Sequence, residues 1–209
     1  MKPFLFPAAG ILALAACAST PMGGKQPTPS SAEVDQVTAI LKRDFHDKGP
    51  AKLSRFDLDE VQRACNMHAD NPPAELAKSL EAAQMKLIVY PSDGLMGDWK
   101  AGEKVAASGA GMTWKDKPGV PGGGSCYNCH QLSPKQPSYG TLGPSLTAFG
   151  KKRGNGVEVQ RYVYGKIYNA KAYNVCSIMP RLGTSHSLSE QQIKDVTAYL
   201  LDPASPVNQ

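Results

Sequence analysis

Residues 126–132 read CYNCHQL: two cysteines with two residues between them and a histidine directly after the second. The reading of this stretch decides the fold, because each chemistry it could serve needs a different surrounding chain. A thioredoxin-type redox pair requires a βαβ pattern around it, and no such pattern flanks these residues. A structural zinc site needs four closed ligands, usually a second pair at similar spacing. The other cysteines, Cys17, Cys65 and Cys176, stand alone. Covalent attachment of haem c needs only what is present. Cys126 and Cys129 lie one helical turn apart to reach the two vinyl groups, and His130 sets an imidazole under the iron.

The compartment supports that reading. The chain starts MKPFLFPAAGILALAACAST, with a basic residue at Lys2, an apolar run over 4–16 and small residues at the break. This is too short to span a bilayer and has the form of an export signal. Leu14, Ala15, Ala16 and Cys17 are similar to a lipobox, which would make Cys17 the acylated N-terminus; ordinary cleavage nearby, for example after Ala18, is the alternative. The expected location is the periplasm, free or tethered to a membrane by a lipid anchor. Thiols outside the cytoplasm tend to pair or to be consumed by cofactors. Cys65 and Cys176, left over from the motif and the leader, are therefore candidates for a disulfide, with two separate buried thiols as the alternative.

The 209 residues are 41% hydrophobic and 20% charged with a net charge of +5, a globular composition with too diffuse a positive charge for nucleic acid. The chain divides into a signal over 1–16, a Pro/Gly/Ser-rich leader over 17–31, a helical extension over 32–97, a haem domain over 98–202 and a tail over 203–209. In the extension, Val34, Val37, Leu41 and Phe45 recur at helical steps over 32–46. A second helix is expected to start at Asp57, with Glu60 completing a capping box, and to end at Pro72 and Pro73. A third starts at Pro73 and carries Leu76, Leu80 and Leu87. A fourth helix lies in GDWKAGEKVAASGAG, residues 97–111, and a Pro/Gly loop leads from it to Cys126. A further helix fits 157–169. The last has Leu188 as a staple to Ile193, Ser189 as cap, Gln192 returning the capping bond and Pro203 as terminator. No repeat and no strand pair is evident, so the expected class is all-α.

The remaining site residues follow from what the iron requires. GPSL at residues 143–146 offers the Pro144 carbonyl to the second nitrogen of His130, or is an ordinary turn. The sixth ligand must come from a methionine or from His46, His68 or His186. Met179 is preferred because Pro180 biases it away from helix and offers its side chain from an extended loop. Arg181 is a candidate contact for a haem propionate. Lys151, Lys152, Arg153, Lys166 and Lys171 form a loose basic group, read as a solvated face rather than a docking patch.

Over about 97–202 the chain resembles class I cytochromes c, through GDWKAGEKVAASG, CYNCH, GPSL, IMPRLG and LSEQQIKDVTAYL. The resemblance implies that fold with an α-helical N-terminal extension, one covalently bound haem c, and packing of Gly102 against Tyr199. A more particular resemblance, carried by DEVQRAC, YPSDGLMGDWKAGEKVA, GGGSCYNCHQL, SYGTLGPSL and MPRLG in order, is to the SoxX family, the small cytochrome subunits of SoxAX complexes in bacterial sulfur oxidation. That resemblance implies an electron-transfer part of an L-cysteine S-thiosulfotransferase complex. A SoxA-like partner subunit would hold the catalytic haem and cysteine. A SoxYZ-like carrier would receive thiosulfate, and a downstream cytochrome c would accept the electrons. No catalytic residue is expected on this chain. A stand-alone electron shuttle and a haem protein with an open coordination site are the other readings that CYNCH permits.

Overall fold

The computed structural model describes residues 28–209, and among them the only bridge pairing is an isolated one between Lys48 and Ala51. The described chain is otherwise helices and turns: α1 (Ser31–Asp44), α2 (Glu60–Met67), α3 (Ala74–Met85), α4 (Trp99–Ala107), α5 (Phe149–Arg153), α6 (Val157–Tyr168) and α7 (Glu190–Leu201). The signal, Cys17 and most of the leader lie outside the described residues.

Helix α7 forms the axis of the haem domain. Its start is specified locally. The Ser189 hydroxyl accepts from the Gln192 N–H at 3.2 Å, the Gln192 side chain accepts from the Ser189 N–H at 2.9 Å, and buried Leu188 precedes buried Ile193 by the staple spacing. Every residue from Ile193 to Leu201 is buried. A helix enclosed this far must satisfy its polar members. Lys194 donates to both oxygens of Asp93 at 2.9 and 3.0 Å, and Asp195 accepts from the Asp98 N–H at 2.9 Å and from Gln191 at 2.8 Å. With the Gly97 N–H on the Lys194 carbonyl at 3.0 Å, these bonds bring the first turn of α4 onto α7.

The two helices cross at Gly102. A Cβ there would overlap the Asp195 carbonyl oxygen and lie 2.9 Å from the Tyr199 Cβ, so the close approach depends on the missing side chain. Gly102→Ala is expected to destabilise the holoprotein by about 3 kcal/mol, the upper part of the overpacking range. The check is a lowered denaturant midpoint with unchanged slope.

The main core gathers Leu95, Ala106, Leu132, Val163, Tyr164, Ile167, Leu182, Leu188 and the inward face of α7, with Cys126, Leu146, Tyr168 and Met179 packed against it. A smaller core of Val61, Cys65, Leu80 and Val175 joins the extension to the segment after α6. Cys65 and Cys176 are disulfide-bonded across 111 residues of sequence.

Three local expectations change. Helix α3 ends at Met85, so Leu87 lies beyond it and is exposed. Helix α2 starts two residues later than Asp57: Asp59 is its cap and Gln62 the returning residue, while Asp57 closes the 3-10 turn Leu53–Phe56. Both aspartates have the D-x-x-E/Q spacing. The later start wins because it turns Val61 and Cys65 inward together and places the Asp59 carboxylate 2.5 Å from Arg181. Helix α5 was not expected. It is five residues long, entered through Ala148 in the left-handed region at φ 56°, and Gly150 packs against the end of α7, where a Cβ would meet the Leu201 carbonyl oxygen at 2.7 Å.

Candidate haem site

The Pro/Gly loop delivers the motif by running close to its neighbours' backbones. The Gly123 N–H bonds to the Ala110 carbonyl at 2.9 Å, Gly124 to Val105 at 2.9 Å and Ser125 to Ser108 at 2.8 Å, while the Gly122 carbonyl accepts from Gln192 at 2.6 Å. Side chains at 122 and 123 would overlap the Ser187 and Ser108 carbonyl oxygens. The loop is thus pinned between the end of α4 and the start of α7. Ser125, with φ 45°, then turns the chain into the 3-10 turn Cys126–Asn128, and the Cys126 carbonyl accepts from the N–H groups of both Cys129 and His130.

Within this turn Cys126 and Cys129 are both unpaired thiols, in a chain whose Cys65 and Cys176 are joined. Burial pushes the Cys126 thiol up to about 11. That shift is opposite to the lowered pKa of a redox nucleophile. Among the described residues one further group has metal-ligand proximity, Cys65, Asp70 and Cys176, and its two sulfurs are bonded to each other.

The His130 Nδ1 lies 2.7 Å from the Pro144 carbonyl oxygen, which can only accept, so Nδ1 carries the proton and Nε2 keeps its lone pair. No hydrogen-bond partner meets Nε2 among the described residues. The segment that brings Pro144 wraps the motif through three backbone bonds of 2.8 Å: Gly140 to Tyr127, Gly143 to Cys129 and Leu146 to Gln131. A Cβ at Gly143 would come within 2.7 Å of Nε2 and overlap Cε1 and Nδ1 of the imidazole, so glycine is what lets the ring lie against this strap.

Met179 is half-buried against the main core, and its N–H donates to the Ser177 hydroxyl at 3.2 Å. The loop that carries it returns to α6 through Leu182 N–H to the Ile167 carbonyl at 3.2 Å and Gly183 N–H to the Tyr168 carbonyl at 3.0 Å. The rival histidines are placed elsewhere. His46 is exposed after α1, His68 caps α2, and His186 is exposed in a left-handed turn at φ 54°. Met96 also borders the core, but directly precedes the Gly97 anchor of α4 to α7.

Arg181, the candidate propionate contact, lies where the extension meets the Met179 loop. Its guanidinium pairs with Asp59 at 2.5 Å and reaches the Gln84 side chain at 3.3 Å, so it ties the extension to the Met179 loop. The basic group also divides. Lys151, Lys152 and Arg153 are exposed at the end of α5, where cations complement the helix dipole. Lys166 lies over the Tyr173 ring, and Lys171 donates to the Val175 and Ser177 carbonyls at 3.3 and 3.2 Å. Sequence periodicity could not find Asp59 and Gln84 as partners of Arg181, since each is more than 90 residues away from it.

These residues fit a covalently held haem. Two free thiols lie one turn apart, and an imidazole has one nitrogen anchored and the other free. Leu142 and Ile178, each 72% exposed beside the histidine strap and the methionine, are large apolar side chains that lack cover from the described protein. The Tyr164 hydroxyl, in the same core, is buried without a partner. A bound haem c supplies reversible one-electron chemistry at iron.

Fold and site together define a monohaem class I c-type cytochrome. The sequence pattern of the cytochrome c family matches residues 120–202. A protein of Aquifex aeolicus (strain VF5) described as an uncharacterized lipoprotein is 32% identical over 193 residues, covering 88% of this chain and 91% of that protein; this chain belongs to the same family. The match to it extends beyond the cytochrome c domain into the helical extension. Among the described residues no helix is long and apolar enough to cross a membrane.

Proposed function

We propose that this chain is the electron-transfer subunit of a SoxAX-like complex, held outside the cytoplasm by acylation at Cys17. The observation that carries the electron-transfer reading is His130, fixed at Nδ1 by Pro144 and free at Nε2, beside two unpaired thiols. A haem held by Cys126 and Cys129 would take His130 and Met179 as its iron ligands, which would leave no iron position for a substrate. The apolar surroundings and the Met ligand favour the reduced state relative to a bis-histidine site and make the centre an electron acceptor. The resemblance to SoxX through ordered motifs on both sides of CYNCH supplies the particular reaction.

In that reaction a sulfur–sulfur bond forms between a cysteine of the SoxYZ-like carrier and the terminal sulfur of thiosulfate. The thiol proton goes to solvent and two electrons leave. The bond making belongs to the SoxA-like partner, and this chain takes the electrons one at a time and passes them to another cytochrome c. A second reading, a tethered electron shuttle of a different respiratory chain, uses the same haem site and the same anchor, and the lipoprotein description of the Aquifex relative is compatible with both. Affinity capture of the tagged holoprotein from native membranes separates the two. Recovery of a cytochrome partner, with haem reduction by thiosulfate only when partner and carrier are both present, supports the complex. A monomer that is reduced equally by unrelated donors and never by thiosulfate overturns it in favour of the shuttle.

A further inference from the structure

The helical extension has no chemistry of its own, yet several of the contacts that α2 and α3 make with the haem domain converge on the segment around Met179. Cys65 of α2 is bonded to Cys176, three residues before the methionine. Glu81 of α3 accepts from the Val175 N–H at 2.9 Å. Gln84, one turn further along α3, accepts from the Asn169 side chain at 3.0 Å through its own side chain and at 3.1 Å through its carbonyl. Gln84 and Asp59 together hold Arg181, two residues after the methionine. The stretch 169–181 is thereby gripped before, within and after the ligand position by residues from two helices of the extension. Val61, Cys65, Leu80 and Val175 close a small core beneath the grip.

The segment has little regular structure with which to hold itself. Between the 3-10 turn Ala170–Ala172 and α7 it is turns and extended chain, and Ile178 and Pro180 are exposed. Such a loop is drawn from the low-stability end of a structure unless it is tied down. A thioether is a neutral, weak ligand that must be presented by the fold to compete with other donors.

We infer that the extension is an external clamp on the sixth-ligand loop, in which Cys65, Glu81 and Gln84 are positioning residues that keep Met179 at the iron. This inference rests on the reading of Met179 as the ligand. Without the clamp the loop spends a larger fraction of time away from the haem, and the apparent affinity for an exogenous ligand rises in proportion to that fraction.

The test uses the full-length holoprotein, with imidazole as the probe of the ferric form and carbon monoxide as the probe of the ferrous form. The wild-type ferric protein should show the long-wavelength thioether-to-iron charge-transfer band. In the Cys65→Ser, Cys176→Ser double variant that band should weaken, and the dissociation constant for imidazole should fall by about 30-fold, the lower end of what a disulfide contributes. Glu81→Ala should shift it in the same direction and Glu81→Gln, which keeps a carbonyl acceptor for Val175, should restore it. Ser79→Ala removes the hydroxyl that bonds the Leu76 carbonyl within α3 without touching a clamp bond, and with Val34→Ala, at buried Val34 of α1, it should leave imidazole binding unchanged. If the double variant does not fold, carbon monoxide binding to the ferrous wild type before and after reduction and alkylation of the disulfide gives the same comparison. A wild-type band with no change in imidazole affinity in any clamp variant overturns the clamp alone. An equal shift in Ser79→Ala or Val34→Ala also overturns it, as a merely structural effect. Absence of the band from the wild type overturns the ligand assignment and the clamp with it.

Discussion

Replacing both Cys126 and Cys129 by serine is expected to abolish covalent haem completely. Haem staining of the denatured protein on a gel should fall to background, whereas either single substitution leaves one thioether and a reduced signal. The expected effect is large because three features of the site depend on the same group. The thiols have no partner among the described residues, the His130 Nε2 has none, and Leu142 and Ile178 stand 72% exposed. Without the cofactor this apolar surface stays in water and the two faces of the site lose what joins them. The serine protein should therefore also lose cooperative unfolding, monitored by near-ultraviolet circular dichroism. Retention of full haem stain in the double variant would refute the assignment.

Met179→His is expected to lower the midpoint potential by on the order of 0.2 V, a fraction of the ~0.8 V range that axial ligands span, and to remove the thioether charge-transfer band. Imidazole is a better donor than a thioether and stabilises ferric iron. Met179→Ala should remove the same band but open the position, so that the ferrous protein binds carbon monoxide promptly. The geometry behind this is the half-buried methionine set before Pro180 and packed on the core that Cys126 also borders. A midpoint that stays within about 0.06 V, a tenfold change in a one-electron equilibrium, with the band intact would show that another side chain is the ligand.

Elements whose signals are local were readable in the chain. The start of α7 is written in Leu188, Ser189, Gln192 and Ile193, all within one turn and a half, and the structure contains both reciprocal capping bonds. The start of α2 was ambiguous for an equally physical reason. Asp57 and Asp59 carry the same capping spacing, and only the pairing of Asp59 with Arg181, together with the inward turn of Val61 and Cys65, selects between them. Helix α5 was missed because five residues entered through a left-handed alanine and containing Gly150 carry no apolar period. Its docking on α7 makes it helical.

The candidate site shows the same division. The i, i+3 spacing of Cys126 and Cys129 and the adjacent imidazole are properties of neighbouring residues, and they announce haem c without any fold. Pro144 is 14 residues from His130, within reach of a short wrapping segment, and Gly143 beside it carries the geometric reason for that segment's composition. Arg181 was read by its nearness in sequence to Met179 as a candidate propionate contact. The partners the structure gives it, Asp59 and Gln84, come from another part of the chain.

By itself, then, the sequence determined the all-α class, the haem motif and the cap of α7, because each rests on residues within a turn or two of one another and on the fixed 3.6-residue period. The tertiary structure chose the disulfide between Cys65 and Cys176 over two separate thiols, and it alone decided the grip of Asp59, Glu81 and Gln84 on the loop of Met179. These contacts join residues up to 122 positions apart, and no local periodicity encodes which distant donor will meet which acceptor. They arise when two apolar faces are buried together and every polar group caught between them must find a partner.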